Sequence, residues 1–161
     1  MIDREIMKSV EALKGLNDDQ LTAIQKCSEK LEFARGDRLF AEGEDSAHLW
    51  IVLEGEVELR YDRPEDQPNP IEDPISFISK AELFGWSSFM PPFKYKLSAY
   101  CASQKCIVVK IEKEHLVDLF EADPGMGFNM MSHILRVIGT HFYQFRNGIA
   151  KRWGHDIMSG W

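Results

Sequence analysis

The stretch His-Leu-Trp-Ile-Val-Leu-Glu-Gly-Glu-Val-Glu-Leu-Arg-Tyr, residues 48–61, decides the fold. Its first six residues form an apolar run, which is typical of a strand that is buried on both faces. Glu54-Gly55 breaks the run, and from Glu56 to Tyr61 charged residues alternate with apolar ones, as in a strand with one exposed face. The sequence therefore predicts two strands joined by a tight turn.

Further short strands are predicted on both sides of this pair, at residues 31–35, 38–41, 74–79, 95–102 and 105–111. The last two are expected to form a hairpin that turns near Ser103-Gln104. Residues 62–74 hold four of the seven prolines and are predicted to form a surface loop. Six to eight short strands within about 80 residues indicate a β-sandwich or a β-roll.

Helices are predicted before and after the strands, at residues 4–14, 18–30, 112–121 and 126–150, where apolar residues recur every three or four positions. Asn17 or Asp18 would cap the second helix, and Pro124-Gly125 separates the last two. A chain of 161 residues allows one domain, 1–161. Within it we expect N-terminal helices at 1–30, a β-roll at 31–111 and C-terminal helices at 112–152.

The last helix, residues 126–150, carries an apolar stripe that must be covered. Its members are Met131, Ile134, Leu135, Ile138, Phe142, Phe145 and Ile149. At 1.5 Å per residue this helix is about 37 Å long and could extend beyond a compact β domain. We therefore expect a homodimer formed through residues 126–150. The alternative is that the stripe packs wholly on its own domain.

Charge and hydropathy limit the partners of the chain. The formal net charge of −7 has the wrong sign for binding duplex DNA through its phosphates. However, residues 83–111 contain no acid and carry Lys94, Lys96, Lys105 and Lys110, which are either an island that attracts a small anion or solvated lysines on strand faces. Because no apolar stretch approaches membrane length and the start resembles no signal peptide, we expect a cytoplasmic protein without a membrane segment.

Patterns that would indicate catalysis are missing from the sequence. The five histidines lack metal-site spacing, and no nucleophile-elbow or nucleotide-loop motif is present. The three cysteines fit neither a disulfide framework nor a metal pattern, although Cys101 and Cys106 could face each other as a redox pair rather than as buried thiols. We expect neither a bound metal nor enzymatic activity. A metal enzyme or oxidoreductase on a β-roll is the remaining alternative.

Residues 84–98, which we call the cassette, are the strongest candidate for a binding site. They read Phe-Gly-Trp-Ser-Ser-Phe-Met-Pro-Pro-Phe-Lys-Tyr-Lys-Leu-Ser. Backbone amides at the start of a short helical turn, the hydroxyls of Ser87 and Ser88, close approach at Gly85, and charge from Lys94 or Lys96 would suit a phosphate. A proline-terminated connection with incidental serines is the alternative.

The order of these elements resembles the cyclic-nucleotide-binding domain family. The motifs that carry the resemblance are residues 33–37 (Phe-Ala-Arg-Gly-Asp), 40–44 (Phe-Ala-Glu-Gly-Glu) and 49–57, followed by Phe84-Gly85. The family includes bacterial catabolite-activator regulators, kinase regulatory subunits and channel gating domains. The resemblance covers about residues 17–150. It implies a mainly β fold, a double-stranded β-helix or jelly-roll-like β-roll with flanking helices, and a phosphate-binding cassette.

Two positions depart from the family pattern. Trp86 stands where nucleotide-binding members have the Glu that holds the ribose, and an ungapped count places Tyr95 where the phosphate-binding Arg would stand. A lysine at 94 or 96 cannot reproduce the two-pronged geometry of a guanidinium. The eleven residues 151–161 are also too few for a helix-turn-helix, so no direct DNA binding is expected.

The sequence predicts a non-catalytic sensor domain that binds a small anion at the cassette. The ligand would be cyclic AMP, cyclic GMP or another phosphate-bearing molecule, and the expected site residues are Phe84, Gly85, Trp86, Ser87, Ser88, Lys94, Tyr95, Lys96 and Ser98. Occupancy would be transmitted through the helix at 126–150. The alternative is a degenerate fold that serves as a dimeric or partner-binding scaffold, with Trp86 filling the cassette.

Overall fold

The structure, a computed structural model, describes residues 2–62 and 75–153, with side chains to residue 148. The predicted loop at 62–74 lies outside the described residues except for Asp62, and the stripe member Ile149 lies outside the described side chains. In the described ranges no helix is both long enough and apolar enough to span a membrane.

Four helices and eight strands make up the described fold. The helices are α1 (Arg4–Ser9), α2 (Asp18–Lys26), α3 (Lys113–Ala122) and α4 (Pro124–Trp153), with 3₁₀ turns at Glu11–Leu13 and Trp86–Phe89. The strands are β1 (Ser28–Ala34), β2 (Arg38–Phe40), β3 (His48–Glu54), β4 (Val57–Arg60), β5 (Ser76–Ile78), β6 (Leu83–Phe84), β7 (Ser98–Cys101) and β8 (Lys105–Glu112). The mainly β fold with flanking helices is confirmed.

The strands form two antiparallel four-stranded sheets, in the orders β1-β8-β3-β6 and β2-β7-β4-β5. The predicted hairpin of residues 95–102 and 105–111 is therefore wrong, because β7 and β8 belong to different sheets. Cys101 pairs with Val57 of β4, whereas Cys106 pairs with Phe33 of β1. Residues 102–104 form a corner between the sheets, and Ala102 N donates to the Glu56 carbonyl.

Strand β3 separates two apolar cores, as its unbroken apolar run predicts. Leu49, Ile51 and Leu53 face a core that the first sheet shares with the helices. Trp50 and Val52 face the space between the two sheets. Because side chains alternate along a strand, a strand with both faces covered needs apolar residues at every position.

The N-terminal boundary between helix and strand lies earlier than expected. The capping box of Asn17 and Gln20 starts α2 as predicted. However, α2 ends at Lys26, where 18–30 is the predicted helix. Ser28 donates its hydroxyl to the Ile24 carbonyl and already pairs with Ile111 of β8. Residues 28–30, which helical periodicity alone assigns to α2, therefore belong to strand β1 because they pair with β8.

Helix α4 is only partly covered by its own domain. It begins at Pro124, a residue suited to the first turn of a helix, and runs for 30 residues, or about 45 Å. Met126, Met130 and Ile134 are buried against the other helices and the first sheet. Other large apolar side chains stay exposed, among them Phe128, Leu135, Phe142 and Phe145. The predicted stripe is thus covered on one side and open on the other.

Candidate functional site

The cassette begins with a sharp turn that only glycine suits. Strand β6 ends at Phe84, and Gly85 follows in the left-handed region with φ 78° and ψ 21°. A Cβ atom at Gly85 would lie 2.7 Å from Cδ1 of Trp50 and 3.1 Å from the His48 carbonyl oxygen. The close approach predicted for Gly85 is therefore made to β3 of the same chain.

A single 3₁₀ turn, Trp86–Phe89, carries the two predicted serines, and no side chain caps its start. Ser88 is fully buried, and its hydroxyl has no hydrogen-bond partner among the described residues. Its backbone amide donates to the Gly85 carbonyl. Ser87 accepts a weak bond of 3.4 Å from the hydroxyl of Ser46, a buried serine that no local sequence pattern connects with the cassette.

Trp86 is the cassette residue that contacts the long helix. Its ring centroid is 5.1 Å from that of His141 on α4, and its side chain packs against both apolar cores. Trp86, which the resemblance places at the ribose-binding position, therefore forms a contact between the site and α4. His141 has no signature in the sequence that would connect it with the cassette.

Tyr95 is a packing residue inside the roll. Its ring stacks on Phe40 at 3.7 Å between centroids, and only 4% of the residue is exposed. Its hydroxyl accepts from the Trp50 indole at 3.0 Å and lies 3.4 Å from the His48 carbonyl. Burial raises the pKa of Tyr95, so the phenol stays neutral. With Phe84, these residues form an aromatic cluster, namely Phe40, Trp50, Phe84 and Tyr95, that fills the space between the sheets beside the cassette.

The predicted basic island does not form as a group of unpaired lysines, since other segments of the chain bring carboxylates to three of its four lysines. Lys94 lies 2.7 Å from Asp45, Lys110 lies 2.9 Å from Glu29, and Lys105 lies within 4 Å of both Glu54 and Glu32. The bond from Lys94 lowers the pKa of Asp45. Exposed Lys96 has no carboxylate within 4 Å in the described part of the chain.

Ser98 forms its hydrogen bonds with residues outside the 3₁₀ turn. Its buried hydroxyl accepts from the backbone amide of Glu42 at 2.7 Å and donates to the carboxylate of Asp62. Tyr100 donates to the same carboxylate. The structure therefore groups Gly85, Ser87 and Ser88 closely along one turn, while Ser98 belongs to a separate polar network at the start of β7.

No group of three or more His, Cys, Asp or Glu side chains in the described ranges has the arrangement of a metal site. The expectation that the chain binds no metal stays a prediction.

The folded chain should lose stability as it is acidified through the range where histidine titrates. Burial lowers the pKa of His141, and burial with nearby Lys110 lowers that of His48. In the unfolded chain histidine has a pKa of about 6.5. His141 and His48 therefore bind protons at a higher pH in the unfolded chain than in the folded one. We expect the unfolding free energy to fall from about pH 7.5 to pH 5.5. His141→Gln should make this dependence shallower in urea titrations, and an unchanged slope would contradict the assignment.

Comparison with known proteins agrees with the arrangement of strands and cassette. The sequence profile of the cyclic nucleotide-binding domain matches residues 30–123. The cGMP-dependent protein kinase 2 of Homo sapiens is 34% identical over 83 residues, which are 51% of this chain and 10% of the kinase. The CRP-like cAMP-activated global transcriptional regulator of Mycobacterium tuberculosis is 23% identical over 146 residues, 91% of this chain and 61% of the regulator. The chain thus spans less than two thirds of either relative.

One solved structure has the same fold as this chain, and the match covers nearly the whole length of that structure. It is that of a candidate cyclic nucleotide-binding protein from Geobacter metallireducens GS-15, with a TM-score of 0.74 and 26% sequence identity. The match covers 88% of this chain and 99% of that one. Since the profile match extends over more than half of the sequence and includes the cassette, the chain belongs to the cyclic nucleotide-binding domain family.

Proposed function

We propose that the chain is a non-catalytic regulatory domain whose cassette binds a small phosphate-bearing ligand, with cyclic AMP and cyclic GMP as the first candidates. The observation that carries the proposal is the Ser88 hydroxyl, which is buried in the 3₁₀ turn that follows the left-handed Gly85 and has no hydrogen-bond partner within residues 2–62 and 75–148. A buried polar group without a hydrogen bond costs about 1–3 kcal/mol, so such groups usually have a ligand, ion or water as partner. Phosphate oxygens are suitable acceptors, and the 3₁₀ turn would have to open for one of them to reach this fully buried hydroxyl.

The charge for this ligand would come from Lys96. Lys94 is paired with Asp45, so it must leave that partner before it can bind a phosphate, whereas Lys96 has no such competitor among the described carboxylates. Both lysines are exposed, and neither offers the two parallel donors of arginine. We therefore expect weaker binding of a cyclic nucleotide than an arginine at this site would give.

Signal transmission would run through Trp86 to α4. The contact between Trp86 and His141 joins the 3₁₀ turn directly to the long helix. A ligand can shift α4 only if it binds one arrangement of this contact better than another, with couplings typically of about 1–3 kcal/mol. The partner read by α4 would be a second copy of the chain, as expected for a homodimer through residues 126–150.

Titration with cyclic AMP, cyclic GMP and inorganic phosphate tests the proposal. Trp86 and Trp50 lie at the cassette, so tryptophan fluorescence reports local binding, and the melting temperature reports it independently. Lys96→Ala should weaken binding about tenfold, the effect of losing roughly 1.4 kcal/mol. The matched control is Lys30→Ala, an exposed lysine on β1 at the opposite edge of the sheet that contains β6. No response to any of the three ligands at millimolar concentration would contradict ligand binding.

The aromatic cluster favours one alternative, a scaffold that no longer binds a nucleotide. Tyr95 and Trp50 are both nearly fully buried and hydrogen-bonded to each other, so they stabilise the roll without a ligand. Under this alternative nucleotides change neither fluorescence nor melting temperature, while self-association through α4 persists. Cytoplasmic location and the absence of direct DNA binding stay predictions under both proposals.

A further inference from the structure

Two cysteine side chains meet between the sheets, at the corner formed by residues 102–104. The sulfur atoms of Cys101 and Cys106 are 2.7 Å apart, and both residues are buried. A disulfide bond has a length of about 2.05 Å, so little movement separates the two thiols from a covalent link. The third cysteine, Cys27, lies at the end of α2 and hydrogen-bonds there to Ile24.

We propose that Cys101 and Cys106 form a reversible intrachain disulfide when the protein meets a hydroperoxide. The bond would connect β7 of one sheet to β8 of the other. Because β7 starts at Ser98, the last residue of the cassette, oxidation would tether the strand that follows the cassette to the opposite sheet. This proposal does not rest on nucleotide binding.

The chemistry balances with peroxide as the only co-reactant. A thiolate of Cys106 attacks one peroxide oxygen, the O–O bond breaks, and the leaving oxygen takes up the thiol proton as water or an alcohol. Cys101 then attacks the resulting sulfenic sulfur, the S–O bond breaks, and water leaves with the second proton. Two thiols lose two electrons, and the peroxide gains them.

The two cysteines are assigned different roles because of their surroundings. The Cys101 thiol donates a hydrogen bond to the Cys106 sulfur, which stabilises a thiolate on Cys106, whereas burial raises the pKa of Cys101. The sulfenic sulfur on Cys106 is electrophilic and adjacent, which allows Cys101 to react in the second step. Cys106 is the attacking residue and Cys101 the resolving residue.

The β3–β4 turn covers this cysteine pair. The thiol of Cys106 donates to the Glu56 carbonyl at 2.9 Å, and Glu56 N donates to the Ser103 hydroxyl. Gly55 permits this approach, because a Cβ atom there would lie 2.3 Å from the Lys105 carbonyl oxygen. Glu54, at the start of this turn, is exposed. Peroxide would reach the sulfurs when this turn opens.

Thiol counting on the whole chain tests the proposal. The protein is incubated with hydrogen peroxide, denatured, and its free thiols are titrated, with intact mass recorded in parallel. We expect the count to fall from three to one, the mass to fall by two hydrogen atoms, and dithiothreitol to restore both. Cys27→Ser is the matched control and should fall from two thiols to none.

Two measurements keep the result decisive. Cys101→Ser should accumulate a sulfenic acid on Cys106, which a 1,3-diketone reagent traps, whereas the parent protein should give little adduct. The peroxide incubation is repeated in subdenaturing urea, which increases opening of the turn. A disulfide that fails to form only because peroxide cannot reach the sulfurs would then form. Three intact thiols in both conditions, or a disulfide that includes Cys27, would overturn the proposal.

Discussion

Gly85→Ala should destabilise the fold by about 2–5 kcal/mol. An L residue held in the left-handed region costs roughly 1–2 kcal/mol, and an added methyl group in a well-packed interior costs about 1–3 kcal/mol. Both costs apply at Gly85, where φ is 78° and the new Cβ would lie 2.7 Å from Trp50. Trp50 cannot yield easily, because it is buried and donates to Tyr95. Urea denaturation measures the loss as a lower midpoint at constant slope.

Gly43→Ala is the matched control for this experiment. Gly43 has a similar φ of 85°, but a Cβ atom there has nothing within 4 Å. Gly43→Ala should therefore lower the unfolding free energy only by the cost of the left-handed backbone conformation, about 1–2 kcal/mol. Equal losses at positions 43 and 85 would show that close packing against Trp50 adds nothing at the cassette, and that Gly85 is required for its backbone conformation alone.

Much of the fold is predictable from local patterns of apolar and polar residues, because these patterns depend on which faces of a strand or helix are buried. The run from His48 to Leu53 predicts a strand covered on both faces, and β3 has a core on each side. Sequence patterns do not record which sheet a strand joins. β7 and β8 are separated by only three residues, as in a hairpin, yet hydrogen bonding to β4 and β1 places them in different sheets.

The candidate site was less predictable, since its electrostatics depend on residues distant in sequence. A window without acids predicts a basic island, but Asp45 and Glu29 reach Lys94 and Lys110 from other elements. The turn at Gly85 follows from glycine chemistry and is visible in the sequence. By contrast, contact between Trp86 and His141 joins positions 55 residues apart, and neither residue has a local pattern that indicates the other.

The exposed side of α4 is the surface through which we expect a second copy of the chain to bind. Phe128, Leu135 and Phe142 recur at intervals of seven residues, so they lie along one face of the helix. They are 79%, 69% and 56% exposed, respectively, which is unusual for large apolar side chains in one row. Ile138 is partly buried against the helical core instead, so a charge at Ile138 would destabilise the domain as well as disturb a dimer.

We expect the double variant Leu135→Glu and Phe142→Glu to convert a dimer into a monomer. Burying a leucine or phenylalanine contributes about 1.5–3 kcal/mol, and a symmetric seam loses each contact twice. Light scattering should therefore give the parent protein a mass of twice 18.6 kDa and the variant a mass of 18.6 kDa at equal concentration. Gln144→Glu is the matched control, because Gln144 is exposed on the same helix about 200° around the axis from Phe142. A parent protein whose mass stays at 18.6 kDa when it is concentrated would contradict the dimer.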